Sequence, residues 1–156
     1  KALESIKLIG DLAGPMAFAI LMGSSRAFYG KFGDKINLER FMQYSAVLCM
    51  VSYLMIAFIP VPALGILGCA VCGLSVGIMW PGTFSMAAAS VKRGGTALFA
   101  LLALAGDVGC SSGPTYVGMI SGALNDNLKL GIFAALIFPV LMIMGIKMIG
   151  SLQKYD

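Results

Sequence analysis

Charged residues fall in a few short patches, and between them lie long uncharged runs dominated by apolar side chains. A helix needs about 20 such residues at ~1.5 Å each to cross ~30 Å of hydrocarbon. Five runs are long enough: 8–29, 41–59, 63–90, 96–123 and 130–149. The first is interrupted only by Asp11 near one end and Arg26 near the other. Pro60, Val61 and Pro62 break the chain between the second and third runs, because proline neither continues a helix nor tolerates one before it. Lys92, Arg93, Gly94 and Gly95 make the next reversal, and Asn125, Asp126 and Asn127 the last. The pattern predicts an all-α membrane protein of five transmembrane helices, and the tail after 149 is too short for a domain.

Composition agrees. Of 156 residues, 59% are hydrophobic and 12% charged, against roughly 25% charged in soluble domains, and mean hydropathy is +0.92. The absence of His removes Ser-His-Asp chemistry, imidazole metal sites and a His pH switch, so no catalytic residues, metal or cofactor are expected. Cys49, Cys69, Cys72 and Cys110 all sit inside apolar runs, where Cys behaves as a small hydrophobe. The net charge of +4 comes without a basic stripe interleaved with aromatics, so nucleic acid is not an expected partner.

The excess of Lys and Arg has a membrane explanation, since short cytoplasmic loops collect them. With five spans, Arg26, Lys31, Lys35, Arg40, Lys92, Arg93, Lys147 and Lys154 fall on one side and Lys1, Lys7 and Lys129 on the other. The expected topology has a cytoplasmic C-terminus and an external N-terminus. Gly10 with Gly14, Gly73 with Gly77, Gly109 with Gly113, and Gly118 with Gly122 recur at four-residue spacing, which lets helix backbones approach in lipid and points to a bundle.

The segment after the first run reads GKFGDKINLER, Gly30 to Arg40. It resembles the cytoplasmic loop signature of the major facilitator superfamily, with Gly30, Asp34, Lys35 and Arg40 in matching places. Asn37 stands where the signature has its second Gly, and Asn is the residue after Gly that best tolerates a left-handed backbone; Glu39 replaces one basic residue. The resemblance implies that the five runs are helices eight to twelve, part of a six-helix half-bundle whose N-terminal partner half lies outside this sequence. It further implies a gate loop, in which Asp34 meets the positive end of a neighbouring helix and Lys35 and Arg40 pair across the seam between halves. Gly109, Gly113 and Pro114 resemble a GxxxGP element of superfamily antiporters, here in the other half, with Pro114 permitting a bend. The wording of the third and fourth runs also looks like the fucose-permease-like branch, which implies a sugar or similar polar solute moved with protons.

Asp107 lies about 16 Å into the fourth run at ~1.5 Å per residue and is its only deep charge. An Asp at that depth costs about 2.5–3.5 kcal/mol on insertion scales and by default faces a cavity or a partner. Two roles are open to it, accepting hydrogen bonds from a polar solute or carrying a coupling proton. Gly106 and Gly109 thin the helix around it. Ser112 and Tyr116 share its neighbourhood by helical adjacency. Trp80 stands beside Pro81, which should kink the third run, and offers a ring either for stacking on a sugar or for packing. Asp11 is a weaker candidate for coupling.

The expected function is secondary active transport of a small polar solute across a bacterial cytoplasmic membrane by alternating access, with protons, the lipid bilayer and the missing half as partners. Efflux antiport is the alternative within transport, and a non-transporting scaffold subunit the alternative outside it.

Overall fold

Pro81 and Pro139 shape this bundle because each lacks the N–H that would close its helix onto the carbonyl four residues back. The computed structural model describes the backbone of residues 2–59, 61–91 and 94–152 and the side chains of 12–33, 35–59, 61–91 and 94–150. Helices α1 (Ala2–Phe32), α2 (Leu38–Phe58), α3 (Pro62–Val76), α4 (Met79–Ser90), α5 (Gly95–Ala123), α6 (Leu128–Ala134) and α7 (Ile137–Leu152) account for nearly all of it, with a 3-10 turn at Gly33–Lys35 and no strand among the described residues. Two of the five expected spans are interrupted, the third beside the Pro81 that was expected to kink it and the fifth where no break was expected. The third run is α3 followed by α4, parted at Gly77 and Ile78, and the fifth is α6 followed by α7, parted at Ala135 and Leu136. Gly77 and Ala135 each precede a proline by four residues. At the second break the chain tightens, and the Phe138 N–H donates to the Ala135 carbonyl at 3.1 Å.

Among the described residues, four segments are long and apolar enough to cross a membrane: Leu38–Phe58, Pro62–Ser90, Gly95–Ala123 and Leu128–Gly150. The remaining expected span, the first at 8–29, falls on α1, 31 residues long, whose side chains up to Asp11 lie outside the described residues. The molecule is an all-α membrane protein. Its helices outrun the apolar runs at several ends, α1 continuing to Phe32 and α2 beginning at Leu38, so the expected loop from Gly30 to Arg40 shrinks to a turn.

Local chemistry sets these ends. Asn37 caps α2, its side-chain oxygen accepting from the Arg40 N–H at 3.1 Å, and its backbone is extended at φ −67° and ψ 104°. It therefore serves as an N-cap and not as the left-handed stand-in for glycine that the loop signature suggested. Left-handed residues occur instead at Asn125 and Asp126, both at φ 57°, where the chain turns from α5 into Asn127, the cap of α6. Pro62 opens α3, where its missing N–H is harmless.

Helix α2 forms the centre and packs against α3, α4, α6 and α7, whereas α1 lies on α3, and α5 touches α4 and α6. The core is built of small side chains: Ala46, Cys49 and Ser52 of α2 against Ala70, Cys72 and Ser75 of α3, with Met42, Ile78 and Ile146 the large exceptions. Apolar burial gives helices in lipid little reason to associate, so close fit supplies the attraction. The buried Ser52 and Ser75 hydroxyls donate to the Cys49 and Cys72 carbonyls at 2.8 and 2.7 Å, which leaves no buried side-chain polar atom unpaired among the described residues.

The tightest seam joins α1 to α3. A Cβ on Gly14 would meet Cys69 Sγ at 3.6 Å, one on Gly73 would fall on the Phe18 carbonyl, and one on Gly77 would lie 2.8 Å from the Met22 carbonyl. Both helices advance by four residues from each contact to the next in the same direction, so they run parallel. Gly10 and its pairing with Gly14 lie outside the described side chains. Substituting Gly73→Ala should lower stability by about 1–3 kcal/mol through overpacking. Gly65→Ala, which meets nothing within 4 Å, should leave stability unchanged or slightly raised; unfolding of both variants in detergent compares them.

Candidate functional site

Helix α5 leaves Asp107, Ser111, Ser112 and Thr115 exposed. Asp107, Ser111 and Thr115 follow one another at four-residue steps, and with Val108, Ser112, Tyr116 and Met119 they line one open, shallow face. All seven come from α5, so the face is one wall and not an enclosed cavity. None of the best apolar stretch of α5 is buried inside the bundle, whereas 33% of that of α2 is. Asp107 stands 12 residues after Gly95, about 18 Å along a helix of 29 residues at ~1.5 Å each, hence at mid-span.

Hydrogen bonding leaves this face rich in acceptors. The Ser111 hydroxyl donates to the Asp107 carbonyl at 2.9 Å, and the Thr115 hydroxyl to the Ser111 carbonyl at 2.7 Å. Both hydroxyl protons are thereby committed to the backbone, and the oxygen lone pairs remain outward. The Asp107 carboxylate has no hydrogen-bonding or ionic partner among the described residues. The arrangement can accept hydrogen bonds from a polyhydroxylated solute or from water, or hold a proton at Asp107.

Trp80 connects this wall to the rest of the bundle. It lies in the first turn of α4, where the Pro81 break re-aims the helix, and its ring covers Gly106 so closely that a Cβ there would fall on ring atoms. The ring also meets Phe84 edge-on at 4.7 Å, and Phe84 stacks with Phe99 at 5.8 Å, which ties α4 to α5. With 46% of its surface still exposed, Trp80 is a ring packed on Gly106, the residue before Asp107 in the chain. Tyr116 reaches the other way, edge-on to Phe138 of α7 at 5.7 Å.

The structure thus brings Asp107, Ser112 and Tyr116 onto one face, with Trp80 alongside through Gly106. The side chains of Asp11 and Asp34 lie outside the described residues. Gly30 belongs to the last turns of α1 with open space around it, and Lys35 and Arg40 are exposed. The carboxylate in the first turn of α2 is Glu39, which receives the Gln43 amide at 3.3 Å and lies where a Cβ on Gly150 of α7 would go. Gly109 and Gly113 have nothing within 4 Å, and α5 runs through Pro114 without a break, although that proline removes the helix donor for the Cys110 carbonyl.

Sequence reasoning missed Ser111 and Thr115, although the four-residue step from Asp107 would have found them. It placed Arg26 inside the first run and counted it with the charges of one side, but gave it no partner. The structure places Arg26 within α1, its Nε donating to the Gly77 carbonyl at 3.2 Å.

Replacing Gly106 with Val should unseat the ring of Trp80, the chain's single tryptophan. Its emission should shift to the red and its quenching by acrylamide should rise; an unmoved spectrum would contradict the packing described.

No family profile, curated protein or solved structure matches this chain.

Proposed function

We propose that this chain forms the C-terminal part of a major-facilitator-type secondary transporter and that α5 is a wall of its solute pathway. One observation carries the reading: a helix of membrane-spanning length and hydropathy holds an unpaired carboxylate and a stripe of hydroxyls at mid-span, on a side that the described residues leave open. Such a face is stable in a membrane only against water, a solute or a second bundle. A partner half packed across α5 provides all three as the two halves rock about the site. The loop signature from Gly30 to Arg40, the parallel setting of α1 and α3, and the broken third and fifth spans are in keeping with this reading. Helices broken at mid-membrane are a recurrent way of building transporter sites.

The solute is small and polar, a sugar or similar metabolite, because the wall offers hydroxyl oxygens, a carboxylate and an aromatic edge. Asp107 accepts its hydroxyl protons or carries the coupling proton. The membrane is the bacterial cytoplasmic membrane, with the C-terminus on the cytoplasmic side. A competing reading, a non-transporting assembly subunit, draws on Gly118 and Gly122, which have no neighbour within 4 Å and would admit another helix.

Asp107→Asn separates the two. In cells carrying the complete protein and a panel of labelled sugars, transport should fall about tenfold or more, as expected for losing a charge-assisted hydrogen bond of roughly 1.5–3 kcal/mol, with membrane levels unchanged. Uptake equal to the parent's would defeat the assignment of Asp107.

A further inference from the structure

The carbonyl of Gly77 has an unusual donor. In an unbroken helix it would accept from the N–H of residue 81, but residue 81 is Pro and has none. The Gly77 N–H still reaches the Gly73 carbonyl at 3.2 Å, and the Gly82 N–H reaches the Ile78 carbonyl at 2.8 Å. The Gly77 carbonyl is served from another helix, by Arg26 Nε at 3.2 Å. Position favours this, since Gly77 lies in the close seam with α1, its absent Cβ leaving room for Met22, one turn before Arg26, and for Ser25 beside it. Three residues after Gly77, Trp80 takes its seat over Gly106, next to Asp107.

We propose that Arg26 is a positioning residue: its guanidinium replaces the backbone donor that Pro81 lacks, fixes the bend between α3 and α4, and so sets the ring of Trp80 beside Asp107. The guanidinium joins α1 to the top of α4, so the two move together. The consequence for transport rests on the proposed role of α5 as a pathway wall, but the bond and its effect on Trp80 do not.

Proline and arginine are then coupled, and a double-mutant cycle on the full chain in detergent measures the coupling without any solute. In the parent, Arg26→Gln should lower the midpoint of thermal unfolding by several degrees and shift Trp80 emission to the red, and Arg26→Lys should restore part of both. Pro81→Ala returns an N–H to residue 81, so adding Arg26→Gln to that variant should move neither the midpoint nor the emission beyond Pro81→Ala alone. Equal losses in both backgrounds, or no loss in the parent, would overturn the proposal. Should Arg26→Gln alone not accumulate as folded protein, its recovery on adding Pro81→Ala supports the proposal and failure to recover overturns it. Unfolding and emission alone decide the matter, whether transport survives in these variants or fails.

Discussion

Inside hydrocarbon, a backbone carbonyl that loses its helix donor finds no water to replace it. An unpaired buried acceptor costs about 1–3 kcal/mol, and most of this architecture follows from how that cost is avoided. Pro139 is accommodated by a tightened turn, with the Phe138 N–H moving to Ala135. Pro81 is accommodated by a side chain from a different helix. Arginine is an expensive choice, since a guanidinium at the centre of a membrane costs about 2.5–3.5 kcal/mol on insertion scales, more than one carbonyl is worth. The balance closes because Arg26 remains exposed as a residue: Nε holds the carbonyl, and a long side chain of this kind keeps the rest of its charged head in water.

The same constraint governs the hydroxyls. Ser52 and Ser75 fold back on their own helices and vanish into a core of small residues, where they cost little and permit close packing. Ser111 and Thr115 fold back in the same way but face outward. The difference between the two sets of hydroxyls is the side of the bundle they occupy. Within the described residues, α5 is the helix with a charge at mid-span and without a neighbour to cover it. That face of α5 is therefore open in the described structure.

Much of this architecture is legible in the sequence. Hydropathy located the long helices to within a few residues, because twenty apolar residues in a row have few other uses. The breaks were harder. Pro81 sits deep in a run and announces a kink, whereas Pro139 lies near the middle of a short run that reads as one helix. Glycine spacing showed where helices can approach but not where they do: Gly73 and Gly77 form the α1–α3 seam, and the identically spaced Gly109 and Gly113 touch nothing. Asn37 was legible as a residue of special backbone, but capping and left-handed turns draw on the same short side chain. Arg26 was hidden because its partner is a carbonyl, and a carbonyl orphaned by a proline 55 residues away along the chain leaves no mark in a census of charges.

Whether the polar side of α5 meets water can be read chemically. With Cys69 and Cys110 replaced by Ala, single cysteines at Ser111, Thr115 and, as an exposed apolar reference on α2, Val51 would be treated in intact membranes with a charged, membrane-impermeant thiol reagent. Ser111→Cys and Thr115→Cys should react readily and Val51→Cys slowly, because the reagent attacks thiolates and these form only where water reaches. Reaction at Ser111→Cys and Thr115→Cys no faster than at Val51→Cys would mean that α5 is sealed, and that Asp107 lines no pathway.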